Sequence, residues 1–369
     1  MNIACDARAL VGPLTGVGTW TRQIVAGLAG RGHDVLLAAS KPILLSDELR
    51  HPRIAVLPPP AAPWPGTLWL QTSLPAAIAR RHVDVLVGSL AIVPRHGSVP
   101  AVAMVHDLTP RTHPHRHTLA NRFCFNAYLE SSLDAASAVV AGSDATLAEL
   151  AEAFPRTVDK IHRIGYGVEA SFRPAVDDHG MTTRERFAGG HRYVLHLGTL
   201  EPRKGVARLI GAWERLRARV TAPPDLVLAG APGWGLRSIE ARIMSSPYAD
   251  RIHRTGYVDR EASRDLLRHA EAFVLASEAE GFGLPLAEAI CCGTPAVASD
   301  IPVLRETGGD AALYAPLTET GLAAAIERAL EPDTADRLRT RAAARAPQLR
   351  WDPVVDAWEE LLSRVVHER

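Results

Sequence analysis

Apolar residues follow two rhythms along this chain. Short runs rich in β-branched side chains alternate with longer stretches in which apolar residues recur every three or four positions. In the first half the runs are Asn2–Cys5, Val35–Ala39, Ile54–Leu57, Val85–Val87, Ala101–Val105 and Val139–Ala141, with amphipathic stretches such as Trp20–Ala29 and Thr146–Ala153 between them. They predict strands and helices respectively. A second series runs through strand Tyr193–Leu197, helix Val206–Arg219, strand Leu226–Ala229, helix Ile239–Ile243, strand Ile252–Arg254, helix Arg260–His269, strand Phe273–Leu275, helix Pro285–Cys292 and strand Ala296–Ala298. Strand–helix alternation marks a parallel sheet with helices on its faces. Two series in succession predict an α/β protein of two doubly wound, Rossmann-like domains whose carboxyl edges open onto one crevice.

Residues 173–190 break the rhythm, being polar and carrying Pro174, Asp177, Asp178, Gly180, Gly189 and Gly190. They read as a linker between a first domain at 1–172 and a second at 191–350. The last segment, 351–369, sets Val354, Val355, Trp358, Leu361 and Leu362 on one side of a helix, and Pro347 isolates it from the Arg/Ala-rich helix before it. It is expected to pack back on the first domain. Pro58, Pro59, Pro60, Pro63 and Pro65 cannot join a ladder and predict an extended loop carrying Trp64.

Composition narrows the function. The 369 residues hold 41 basic and 41 acidic side chains, 22% charged and 47% hydrophobic, which describes an ordinary soluble chain and argues against nucleic acid, whose phosphates require clustered positive charge. Cys5, Cys124, Cys291 and Cys292 form no CxxC pair, so neither a disulfide framework nor a zinc site is expected. His113, His115 and His117 surround Pro114 without an acidic or cysteine partner, and no metal is expected there either. The opening has no basic and apolar leader pattern and no run of about 18 apolar residues occurs, so the cytoplasm is the expected compartment. Lysine occurs only at 41, 160 and 204.

Candidate chemistry gathers at predicted strand ends. Glu280-Gly-Phe-Gly-Leu-Pro-Leu-Ala-Glu288 follows the strand Phe273–Leu275 and enters a helix at Pro285. Glu280 then sits in a loop, Gly281 and Gly283 let backbone approach a ligand, and Glu288 lies about one turn into the helix. Carboxylates accept from hydroxyls and a helix N-terminus offers N–H groups to an anion, a combination suited to a ligand with sugar hydroxyls and phosphates. The lesser alternative for the run alone is a surface Glu and a capping Glu around a Gly turn. Gly198-Thr-Leu-Glu-Pro-Arg-Lys-Gly205 follows the strand Tyr193–Leu197 and brings Arg203 and Lys204 to the same edge, where a guanidinium fork and an ammonium suit phosphate. In the first half, Thr15-Gly16-Val-Gly18-Thr19 precedes a helix but lacks the third glycine of a dinucleotide fingerprint. His106-Asp107 follows the strand Ala101–Val105.

These motifs, with Asp6-Ala-Arg8, Gly142-Ser-Asp144, Ile164-Gly-Tyr-Gly167-Val168 and Thr255-Gly-Tyr-Val258, occur in an order and spacing that resembles the retaining nucleotide-sugar glycosyltransferases of family four, of GT-B architecture, over nearly the whole chain. The resemblance implies that Glu280 and the backbone of Gly281, Phe282, Gly283 and Leu284 contact the transferred hexose, and that Glu288 accepts from ribose hydroxyls. It implies further that Arg203 and Lys204 neutralise the diphosphate, that Gly256, Tyr257 and Val258 border the nucleobase, that His106 approaches the sugar, and that Gly16 and Gly18 border the diphosphate and acceptor. Many relatives carry Arg directly after the glycine matching Gly198; Thr199 stands there instead, so the phosphate charge is expected to fall on Arg203 and Lys204.

The implied reaction is metal-free hexose transfer with retention, stabilised at the leaving diphosphate. No cofactor beyond the nucleotide sugar is implied. The Asp-Ala-Arg opening and the Gly198–Gly205 run look most like bacterial mannosyltransferases of surface polysaccharide synthesis, which points to GDP-mannose, with UDP- and dTDP-sugars as alternatives. The acceptor, a glycan, lipid-linked or small-molecule hydroxyl, is expected on loops 58–72 and 111–122, which hold Trp64, Trp69, Arg111, Arg116 and Arg122 and suit an anionic or lipid-linked molecule at the inner membrane surface. A non-catalytic sugar-nucleotide-binding subunit is the competing reading. A pyridoxal-phosphate phosphorylase lacks a suitable lysine motif.

Overall fold

Buried β-branched and small apolar residues with no alternating polar face form the central strands, as expected where helices cover both sides of a sheet. The computed structural model describes residues 1–12, 14–43, 45–61, 66–112, 119–176 and 180–368, without the side chains of 119–122. Trp64, His113, His115, Arg116, His117, Arg122, Asp177 and Asp178 lie outside that description. The chain divides into two compact units, 1–167 with 351–369, and 168–350.

The first unit is built on β1 (Asn2–Asp6), β2 (Asp34–Ala38), β3 (Ile54–Val56), β4 (Val85–Gly88), β5 (Ala101–Val105), β6 (Ala138–Ala141) and β7 (Ile161–Arg163). Among the described residues these pair in parallel in the order β3-β2-β1-β4-β5-β6-β7. The order reverses direction between β1 and β4, the switch point at which doubly wound sheets open a crevice. Helix Trp351–His367 belongs to this unit. Its Trp358 meets Trp20 edge to face at 5.3 Å between ring centroids, and Gly27 leaves room for Val355.

The second unit holds β8 (Tyr193–Leu197), β9 (Asp225–Ala229), β10 (Ile252–Gly256), β11 (Ala272–Leu275), β12 (Ala296–Ser299) and β13 (Ala312–Ala315) in the parallel order β10-β9-β8-β11-β12-β13. Its switch point lies between β8 and β11. Its core joins Val194, Leu226 and Val274 of the sheet to Leu209, Trp213 and Ile326 of flanking helices.

Two readings from composition are corrected. The stretch 180–190 is no linker: Gly180–Ala188 is a helix with Thr183 and Ala188 buried, and Arg184 pairs with Glu271 at 3.3 Å. Its three buried positions, Gly180, Thr183 and Ala188, include no large apolar side chain and make no visible stripe, so the glycines and polar residues dominated the sequence. Likewise, much of 58–72 is not a loop, because Gly66–Ala79 is a helix that buries Trp69 in the core beside Leu70 and Leu74. At the other expected acceptor loop, Arg111 belongs to a short helix, Thr109–Thr112, and lies over the ring of Phe154 at 4.9 Å.

Candidate active site

The loops that leave β8 and β11 carry the predicted cations and carboxylates, and their backbone conformations depend on glycine. Gly205 adopts φ +65°, and a Cβ there would stand 2.0 Å from the carbonyl oxygen of Ala276. The β8 loop thus lies directly against the end of β11, which brings Lys204 to Glu280. Gly283, at φ +86°, caps helix Leu284–Cys291, with Pro285 in its first turn, where a missing N–H costs nothing.

Lys204 Nζ donates to Glu280 Oε1 at 2.6 Å, and Ser277 Oγ donates to the same oxygen at 2.6 Å. Arg203 reaches the other carboxylate oxygen at 3.7 Å while pairing with Glu201 at 2.7 Å and donating to the Ala279 carbonyl at 2.6 Å. Burial alone would raise the Glu280 carboxyl, but Lys204, then Arg203, and the hydrogen bonds from Lys204 and Ser277 hold it below its usual range. The two cations face two carboxylates, so they do not form a bare positive patch. An arriving anion shares Lys204 with Glu280, and a hydroxyl donating to Glu280 loosens its hold on the ammonium.

Glu288, predicted to accept from ribose, is buried and receives a hydrogen bond from Arg260 at 2.5 Å. Arg260 also pairs with Glu169 at 2.9 Å and lies over Phe172 at 4.3 Å. Arg260 was not legible as a site residue, since no motif contains it. Phe282 is buried, and its carbonyl accepts from Thr307 Oγ1. Thr199 is exposed. Gly198 adopts φ +150°, while Gly256 at φ +69° has open space where a Cβ would stand. Tyr257 is exposed beside it.

His196 is a second residue the motifs missed. It lies fully buried in β8, its Nδ1 donates to the Val274 carbonyl at 3.2 Å, and its Nε2 has no hydrogen-bond partner. Nε2 and Lys204 Cε lie 3.9 and 4.0 Å from the point where Gly198 would carry a Cβ. Burial first, with Lys204 nearby, lowers its pKa to about 4. Period-two patterning could have flagged it, as a histidine in an otherwise apolar strand.

In the first unit, helix Gly16–Gly30 starts four residues earlier than the apolar pattern predicts, because Thr15 caps it by accepting from Gly18 N–H at 3.3 Å. Gly18 faces inward, where a Cβ would stand 2.7 Å from the Ala9 carbonyl; Gly16 is open. His106 donates from Nε2 to the Ser89 carbonyl at 2.7 Å and accepts at Nδ1 from the Tyr166 hydroxyl. Burial lowers its pKa to about 4. Both ring nitrogens are hydrogen-bonded, which fixes the orientation of the buried His106 ring. Among the described residues no group of three or more His, Cys, Asp or Glu is placed to hold a metal ion, and no helix is long and apolar enough to cross a membrane.

Residues 14–172 match the family described as Glycosyltransferase Family 4, and residues 182–348 match Glycosyl transferases group 1. The O-antigen chain mannosyltransferase B of Escherichia coli is 30% identical over 255 residues, 68% of this chain and 67% of that protein. The solved sucrose-phosphate synthase of Thermosynechococcus elongatus superposes with TM-score 0.81 over 100% of both chains at 21% identity. Anabaena HepE in complex with UDP and glucose superposes with TM-score 0.77 over 98% of this chain and 99% of that one, at 20% identity. Both halves match in tandem, each on its own doubly wound sheet, and the chain therefore belongs to the GT-B glycosyltransferases of family 4.

Proposed function

We propose that the protein transfers a hexose, with retention of configuration, from a nucleoside diphosphate sugar to a hydroxyl of a glycan or lipid-linked acceptor, and that the donor is GDP-mannose. The observation that carries this reading is the buried Lys204–Glu280–Ser277 cluster beside the helix that begins at Leu284, at the switch point between β8 and β11. Hydroxyls of the hexose donate to Glu280, the diphosphate draws on Lys204 and Arg203, and Glu288 accepts from the ribose. The bond from C1 to the phosphate oxygen breaks with its electron pair on the leaving group. The acceptor oxygen bonds to C1 from the same face, and its proton passes to a departing phosphate oxygen. Lys204 and Arg203, and no divalent cation, meet the leaving group's charge. Stabilisation of that charge is the main catalytic term. The name of the 30%-identical relative supports mannose and a surface-polysaccharide acceptor.

Removing one such stabilising group costs about 10²–10³ in kcat. Lys204→Ala is expected to lose activity on that scale while keeping its fold by circular dichroism; transfer at the parent rate would exclude the leaving-group role. NMR of the glycosidic product is expected to show the donor's anomeric configuration, and an inverted linkage would overturn retention. A thermal-shift panel of GDP-, UDP- and dTDP-sugars identifies the donor, since the one that binds raises Tm by mass action.

A further inference from the structure

The second sheet places the loop that leaves β9 between two loops already assigned to the donor. In the order β10-β9-β8-β11, the β8 loop carries Lys204, and β10 ends at Gly256 and leads into Tyr257 and Val258. The intervening loop, 230–235, is fixed to both by its backbone. Leu200 N–H donates to the Ala231 carbonyl at 2.9 Å, Gly233 N–H to Leu200 at 3.1 Å, and Gly230 N–H to Gly256 at 2.9 Å. Glycine is needed for this closeness: a Cβ on Gly230 would stand 1.9 Å from the Gly198 carbonyl oxygen, and one on Gly233 would meet Thr199 and Glu201 within 3.0 Å.

This closely packed loop presents an indole to solvent. Trp234 is 41% exposed, whereas the core tryptophan of the unit, Trp213, is fully buried and donates from Nε1 to the Pro224 carbonyl. Among the described residues of the second unit, the exposed large aromatic side chains are Trp234 and Tyr257, and they stand on adjacent loops at the same sheet edge. A large apolar ring held out on a loop tied to both neighbours is poorly explained by packing. A flat π-face is what a nucleobase stacks on, and the face of a purine overlaps an indole more fully than that of a pyrimidine.

We infer that Trp234 stacks on the base of the donor nucleotide and favours a purine there. This rests on the nucleotide-sugar reading above and adds the residue that selects the base. Isothermal titration of GDP, UDP and inorganic pyrophosphate into the parent protein, Trp234→Ala and Trp234→Phe tests it. Trp234→Ala is expected to weaken GDP by about 10-fold or more, UDP by less, and pyrophosphate not at all, while Trp234→Phe keeps most of the affinity. A parent that binds GDP and an alanine variant that binds it equally well would overturn the stacking role alone. A pyrophosphate loss matching the GDP loss would reassign Trp234 to loop structure. A parent that binds neither nucleotide sinks the nucleotide-sugar reading, and this inference with it.

Discussion

His196 shows how a single burial sets the chemistry around it. Its Nδ1 must donate, because a carbonyl is its partner, so a neutral ring leaves Nε2 as an acceptor close to Lys204. Protonating that ring would place a second cation in an apolar strand. A histidine whose folded pKa is lowered supports the fold fully above its unfolded value and loses that support as pH falls through the folded value. His196 and His106 both fall from 6.5 to about 4, so their window lies between those values. For fully buried His196 the shift corresponds to roughly 3 kcal/mol. The urea midpoint is therefore expected to drop steeply between pH 6.5 and 4, and more shallowly in His196→Phe. A variant as acid-sensitive as the parent would remove His196 from that account. The Glu280 carboxyl, held below its usual range, adds a loss in the same direction at lower pH. Neither histidine's state was readable from sequence, because the partners that fix their tautomers, Val274, Ser89 and Tyr166, lie 17 to 78 residues away.

At the scale of elements, the strands were legible almost to the residue, since β8 is a short apolar run while helix Arg260–His269 spaces Ala262, Leu266 and Leu267 among polar residues. What escaped were elements whose stability comes from neighbours: Gly180–Ala188, the Gly66–Ala79 helix with Pro75 inside it, and the edge strands β7 and β13. Of the site, the two motif segments were legible because glycine and proline punctuate them. Arg260 and Ser277 were not, because their role depends on contact and not on spacing. The β8 loop gives a direct test of how tightly such segments are built. Gly205→Ala must place a Cβ 2.0 Å from the Ala276 carbonyl at φ +65°. Relief requires the loop to move off β11, at a cost of about 1–3 kcal/mol or more. The expected result is a lower Tm together with weaker nucleotide binding, since Lys204 moves with the loop. A variant of parental Tm and affinity would mean that the loop and β11 are not packed this closely.

For the molecule as a whole, the chain leaves the first unit at residue 167 and rejoins it at 351. The returning helix is a structural part of that unit. Trp358 and Trp20 are both fully buried, and Trp20 in turn meets the His106 ring edge to face at 5.3 Å. Arg31 and His33 pair with Asp356 and Glu359 along the same helix. The last residues of the chain thereby support the ring that holds His106 in place, through contacts more than 300 residues apart in sequence. Replacing Trp358 by alanine leaves a cavity that costs about 3–5 kcal/mol. Because the Trp358 Nε1 has no hydrogen-bond partner, phenylalanine loses no polar contact and is expected to cost far less. Hydrogen exchange followed by mass spectrometry separates the consequences. In Trp358→Ala, amides of β1, β4 and β5 should lose protection, while those of β8 and β9, in the other unit, keep theirs. A uniform loss across both sheets would mean that the two units unfold as one cooperative body, and that the returning helix stabilises the whole chain and not the first unit alone.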